Sequence, residues 1–211
     1  MGLWARCTAP YSLLRTLLYE KLSGLTLHGR VLDVGGGTRK SSYLSLLRVE
    51  GALESLNIDP ERAPTFVADL NEPLPIPAST YDTILSLNTL EHVREDVFAL
   101  REMTRILKPG GRMLIFVPFL YRVHGSPSDF HRHPRPWWDA VLRDLGLDGT
   151  VTPIGGSRYL AGYALAEPSR FHLPFRLLVF GIEAFDRQIR PGTHAADADY
   201  ALGYFIDARK R

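Results

Sequence analysis

The sequence predicts an α/β fold: a mostly parallel sheet covered by helices on both faces. Two observations carry this expectation. Short β-branched runs alternate with helix-like stretches over residues 29–145, the pattern of strands joined by helical crossovers. One helix-like stretch also stops at "KPGG" and leads directly into another apolar run, as a helix–turn–strand junction does. A chain of 211 residues suits one domain.

Taken in order, residues 10–23 read as an amphipathic helix, since Leu13, Leu14, Leu17, Leu18 and Leu22 recur at helical spacing. "RVLDV" (30–34) is the first strand and "SSYLSLLRV" (41–49) reads as a helix. "LESLNID" (53–59) is a second strand that stops at Asp59-Pro60, and "TFVAD" (65–69) a third. A proline-rich loop then leads to the strand "YDTILSLN" (81–88). The helix at 94–107 places Val97, Leu100, Met103 or Thr104, and Leu107 on one face, before the strand at 112–118. Residues 124–138 read as an ordered loop into a helix at about 136–145. "VTPIGGS" reads as a strand, "FRLLVFGIEAFDRQI" as a helix and "YALGYFIDARKR" as a final strand.

In such sheets ligands sit beyond the carboxyl ends of the strands, where strand order reverses. That directs attention to Gly35, Gly36, Gly37, Asp59, Asp69 and Asn88. The glycine turn "VLDVGGGTRKSS" is neither of the usual phosphate cradles. Arg39, not glycine, precedes Lys40-Ser41, and the sixth position counted from Gly35 is Lys40. What remains is acid-x-Gly-x-Gly: Asp33, Gly35 and Gly37.

This resembles the first motif of the class I S-adenosylmethionine-dependent methyltransferases, and the resemblance extends over about residues 29–145. "LNIDP" is similar to the acidic end of the family's second strand and "VADL" to its third-strand motif. "YDTILSLNTLEHV" and "RILKPGGRMLIFVP" are similar to the two that follow. The resemblance implies a Rossmann-like, seven-stranded class I methyltransferase fold in a single domain, 1–211. Its parts would be a helical cap (1–28), a cofactor-binding core (29–145) and C-terminal strands with a helical insertion near 170–190 (146–211). It implies S-adenosyl-L-methionine as cofactor. Asp33 would hold the amino group, directly or through water, with Gly35, Gly36 and Gly37 close to the amino-acid end. The N–H groups at the following helix start would receive the carboxylate. Asp59, beside Pro60, would take the ribose hydroxyls. Asp69 and Leu70 would meet the adenine, and Asn88 and Leu90 would line the methionine side. Asp59 also reads as a simple strand stop, and Asp69 as the cap of the next turn. Arg39 stands where the family often has a third glycine.

The stretch "PFLYRVHGSPSDFHRHP" (118–134) resembles one in methyltransferases of glycan and secondary-metabolite pathways, here His124, Pro127, Asp129, Phe130 and Arg132. The expected acceptor is a small molecule, with a sugar, lipid-linked or secondary-metabolite hydroxyl favoured. His124 and Asp129 would shape its site, and His124 or His131 would be the base. Leu90-Glu91-His92 reads as a structural turn. No metal is expected, since His131 and His133 are two apart with no cysteine or clustered carboxylates to complete a set.

A net charge of +2, with basic residues spread along the chain, argues against nucleic acid. Cys7 is the only cysteine, so no internal disulfide forms. No leader or apolar run of membrane-spanning length is read, so the expected location is cytoplasmic, with a peripheral membrane contact as a variant. Within 170–190, Phe175, Leu178, Ile182, Phe185 and Ile189 lie on one line. That line is open to three readings: a core or lid helix, a dimer surface, or contact with a lipid-linked substrate. Monomer and homodimer both remain open. The rival functions are a non-catalytic cofactor-binding protein and an NAD(P)-linked oxidoreductase.

Overall fold

The computed structural model describes residues 2–37, 43–125, 128–156, 160, 172–189 and 199–211. The expectations for Arg39 and Pro127 fall outside these residues. The chain divides into two compact units: Leu22–Thr152 with Tyr204–Arg211, and Met1–Lys21 with Pro153–Gly203.

The strands are β1 (Thr26–His28), β2 (Val31–Val34), β3 (Arg48–Glu50), β4 (Leu53–Asn57), β5 (Phe66–Val67), β6 (Tyr81–Leu87), β7 (Leu107–Pro118), β8 (Leu147–Ile154) and β9 (Gly203–Lys210). Seven of them form one sheet in the order β5-β4-β2-β6-β7-β9-β8. β2 pairs in parallel with both β4 and β6, β4 with β5, and β6 with β7. The chain therefore leaves β2 toward one edge, through β4 and β5, and resumes on its other side with β6. That reversal opens a crevice beyond the carboxyl ends of β2, β4 and β6. All four residues of β2 are buried, as expected of a central strand covered on both faces.

Among the described residues, the α-helices of this unit are α3 (Asp96–Ile106) and α4 (Arg135–Asp144). Leu100 and Met103 of α3 are fully buried, as their spacing predicts. Leu107 pairs with Tyr81 and Arg112 with Thr83, so Lys108–Gly111 bulge out of register where the sequence placed its turn. Arg105 holds the proline-rich loop by donating to the carbonyls of Ile76 and Leu74, while Glu102 accepts the Leu74 N–H at 2.8 Å.

The expected helix at 41–49 is not formed in its described part. Leu44–Leu46 make a single 3-10 turn, and Arg48–Glu50 become β3, paired in parallel with β1. The backbone explains the outcome. Arg48 N–H donates to the Leu25 carbonyl at 2.9 Å and Gly29 N–H to the Glu50 carbonyl at 3.0 Å. β3 therefore claims the end of the segment, and the described residues before it, Tyr43–Leu47, hold only the turn.

In the other unit, α1 (Leu3–Thr8) packs on α5 (His172–Ile189), beside α2 (Leu13–Leu22). The five leucines of α2 are buried as predicted. The buried Arg176 guanidinium of α5 donates to the Tyr11 carbonyl at 2.6 Å, the Arg6 carbonyl at 2.5 Å and the Thr16 hydroxyl at 2.9 Å. This anchoring sets the helix rotation. Arg176, Val179 and Phe180 face inward, while Leu178, Ile182 and Phe185 of the apolar line are exposed. Cys7 is buried nearby, and burial pushes its thiol up despite the opposing charges of Arg176 and Arg6.

Candidate active site

The crevice at the strand reversal is a cleft of about 780 Å³, within the usual size range of small-molecule sites. Its walls include Gly35, Asn57, Asp59, Asp69, Leu70, Asn88, Thr89, His92, Ser128 and Phe130. The strand-end residues singled out in the sequence are thus brought together. Asp33, Gly36, Gly37 and Leu90 are buried and Pro60 is exposed beside Asp59; none of the five is on this surface.

Gly35 has a φ of 84°, and a Cβ there would lie 2.1 Å from the Thr89 hydroxyl oxygen. Only glycine lets the turn pass this close to the end of β6. Asn57, which sequence reasoning missed, holds the turn in place. Its side-chain amide donates to the carbonyls of Gly35 at 2.7 Å and Gly36 at 3.0 Å. Its Oδ1 accepts the Asp59 N–H at 3.0 Å, so one buried amide links the glycine turn to the acid of the next strand. Nothing in the sequence set it apart, since β4 also carries Glu54 and Ser55.

Asp33 is almost wholly buried, and the Tyr43 hydroxyl lies 2.8 Å from both carboxylate oxygens. Burial pushes its carboxyl up to about 7, with the Tyr43 hydrogen bond opposing. Asp59 accepts the Glu61 N–H at 2.9 Å through Oδ1 and caps the turn Pro60–Arg62. Oδ1 of Asp69 accepts from the backbone and side chain of Asn71, at 2.9 and 2.7 Å. Both acids therefore do the capping work and still face the cleft.

The loop after β7 is tied to the turn Leu90–His92. Phe130 N–H donates to the Glu91 carbonyl at 2.7 Å, and His92 Nδ1 lies 2.5 Å from the Ser128 carbonyl oxygen. Within the loop, the Asp129 carboxylate is buried and accepts from Arg132 and from the His124 N–H at 2.9 Å. Burial alone would raise the Asp129 carboxyl, but the Arg132 guanidinium and the His124 N–H outweigh it and hold it below its usual range. His124 Nδ1 is 3.2 Å from Asp129 Oδ2. His124 and Asp129 are thus together, as the sequence suggested. His131 is not with them: its Nε2 lies 2.9 Å from the Arg94 carbonyl oxygen, and its ring stacks on His133. A spacing in sequence does not tell which way a loop imidazole turns.

Glu91 was passed over in the sequence as part of a structural turn. Its side chain is completely buried, and neither carboxylate oxygen has a hydrogen-bond partner. Burial pushes its carboxyl up to about 8, with its own backbone N–H and the Arg132 charge opposing. The Nε2 atoms of His92 and His124 lie 3.8 and 3.9 Å from Glu91 Oε1. An acid between Leu90 and Val93, both apolar, was the sequence signal that could have found it.

A family model described as a methyltransferase domain matches residues 8–147. The chain belongs to the class I S-adenosylmethionine-dependent methyltransferases. This methyltransferase is 34% identical to the ubiquinone/menaquinone biosynthesis C-methyltransferase UbiE of Pseudomonas fluorescens, over 45% of this chain and 44% of that protein. It is 31% identical to the demethylmenaquinone methyltransferase of Tropheryma whipplei, over 49% of this chain and 51% of that one. The chain thus spans about half the length of the curated relatives it matches. An S-adenosylmethionine-dependent methyltransferase from Mesorhizobium loti shares the fold, with a TM-score of 0.55 at 17% identity, covering 99% of this chain and 100% of that one.

The cleft fits the family's methyl donor. Gly35 leaves the space that a Cβ would fill, and Asp59 and Asp69 offer carboxylates where hydroxyl and amino groups would need acceptors. The N–H groups expected to receive the donor's carboxylate follow the glycines directly, in residues 38–42, which lie outside the described ones. Gly35→Ala in this methyltransferase is expected to weaken S-adenosylmethionine binding at least tenfold and to cost about 1–3 kcal/mol of stability. Calorimetry and thermal melts check the two effects.

Proposed function

We propose that this chain, acting as one methyltransferase domain, transfers a methyl group from S-adenosylmethionine to a hydroxyl-bearing small molecule. The observation that carries the reading is the His124–Asp129 pair, held beside the His92 wall of the cleft by the Phe130–Glu91 backbone bond. When bound, the donor supplies an activated methyl group, so the protein's task is alignment and management of the acceptor's proton. Gly35, Asp59, Asp69, Leu70 and Asn88 would hold the donor, with Asp33, Gly36, Gly37 and Leu90 supporting them from behind and Pro60 beside Asp59. Asp129 fixes the His124 ring, and His131 takes a positioning role by tying the loop to Arg94.

Sugar, lipid-linked and phenolic hydroxyls all fit this chemistry. A deprotonated phenol can accept the methyl on oxygen or on a ring carbon, and the relatives' quinone C-methylation favours testing the second. The apolar side chains that α5 exposes, Leu177, Leu178, Ile182 and Phe185 among them, support peripheral contact with a lipid surface carrying the acceptor. Recovery of the protein with sedimenting vesicles checks that contact.

Incubating the full chain with methyl-labelled donor and panels of phenols, sugars and lipid-linked glycans tests the proposal. Label is expected in the methylated product of a hydroxyl-bearing acceptor, and alanine at Asp59 is expected to reduce its formation at least tenfold. A chain that binds the donor yet labels none of these acceptors would overturn the reading in favour of a binding protein.

A further inference from the structure

Glu91 is a carboxylate without a partner in a place where burial penalises its charge. Such a group needs a proton, a cation or a hydrogen-bond donor. The Arg132 guanidinium is near, with its Nη atoms bonded to Asp129 and the His131 carbonyl; its buried Nε has no partner among the described residues, so it gives Glu91 a charge but no hydrogen bond. The two side chains that do face Glu91 are imidazoles.

Their hydrogen bonds decide what those imidazoles offer. The Ser128 carbonyl can only accept, so His92 Nδ1 carries the proton and its Nε2 keeps a lone pair in the neutral ring. His124 Nδ1 has two acceptors, Asp129 Oδ2 at 3.2 Å and the Arg122 carbonyl at 3.3 Å, against one more distant donor, Arg132 at 3.5 Å. With the proton on Nδ1, its Nε2 also keeps a lone pair in the neutral ring. Two nitrogen lone pairs and a carboxylate oxygen therefore converge, with ligand atoms all within 4.8 Å of one another. Metal-bound histidines characteristically give their other N–H to a carbonyl or carboxylate, and both rings here do so.

We propose that Glu91, His92 and His124 bind a divalent cation of the zinc class on the wall of the cleft. Bonds of about 2.0–2.2 Å set donor atoms roughly 3.4 Å apart on a tetrahedral ion. The observed 3.8 and 3.9 Å to Glu91, with all three donor atoms within 4.8 Å of one another, therefore need an inward turn of the two rings. Two imidazoles and one carboxylate are a donor set of catalytic zinc sites, which keep a fourth position open. His92 lines the cleft; on the methyl-transfer reading, the open position would take the acceptor's hydroxyl oxygen and ease loss of its proton to water in the cleft, before the methyl leaves the sulfonium sulfur for that oxygen. His124 is then a ligand, and the cation replaces an imidazole base.

The second cluster, Asp96, His131 and His133, is a weaker competitor. His133 Nε2 is already bonded to Asp96 at 2.5 Å, and His131 Nε2 faces the Arg94 carbonyl oxygen.

Titrating the chelator-treated full chain with Co²⁺, read by visible absorption, and with Zn²⁺, read by calorimetry, tests the site without any acceptor. One tight equivalent is expected, with the intense bands of a tetrahedral cobalt ion. Glu91→Gln, which keeps shape and removes a buried charge, and His124→Asn are each expected to weaken binding about a hundredfold or more, whereas His133→Asn should not. Absence of tight binding, or binding that follows His133 and ignores Glu91, would overturn the proposal. Binding that survives while no acceptor is labelled would leave the cation site standing and remove only the methyl-transfer reading.

Discussion

Replacing Arg132 with alanine is expected to destabilise the protein by about 3 kcal/mol or more, because it strands a buried carboxylate. Asp129 is 2% exposed, and both of its oxygens are engaged by Arg132. The same guanidinium also donates to the His131 carbonyl at 2.8 Å, so its loss frees the loop that carries His124. Denaturant unfolding at neutral pH measures the effect. Adding Asp129→Asn to the alanine variant should restore much of the stability, since the stranded charge is then gone. A single variant as stable as the parent would show that Asp129 finds other solvation.

Asp33→Asn is expected to act in the opposite direction. The native carboxyl titrates at about 7, above the ordinary value of 3.8. A raised carboxyl contributes its full stability below the unfolded value and loses it as pH climbs through the folded one. The parent without cofactor should therefore weaken between about pH 4 and pH 7, and asparagine removes that loss. The variant's advantage should be near zero at pH 4 and level off above pH 7 at a value on the order of 2–4 kcal/mol. The Tyr43 hydroxyl can still donate to the asparagine oxygen, so the comparison isolates the charge. Chemical denaturation across this range measures it, and a constant offset between the two proteins would contradict the explanation.

Residues at strand ends were legible in the sequence because topology alone places them. Once β2, β4 and β6 are known to be parallel neighbours, Gly35, Asp59 and Asn88 must share one end of the sheet. What is fixed by burial and ring rotation was not legible. Glu91 looks like any acid in a turn until the loop after β7 closes over it through Phe130 and Ser128. His131 sits in the motif beside Asp129, yet its ring turns to Arg94. The segment 41–49 has helical composition, but its last two residues are claimed by β1, a pairing with no local signal. On α5, apolar spacing marked a stripe but left its direction open, because one buried arginine sets the rotation.

β9, the last strand of this chain, lies between β7 and β8. During synthesis, β8 emerges from the ribosome well before its neighbour exists and must wait with an unpaired edge. Sheet closure is therefore a late event that couples residues some 95 positions apart, such as Arg112 and Asp207, the kind of distant pairing that slows folding.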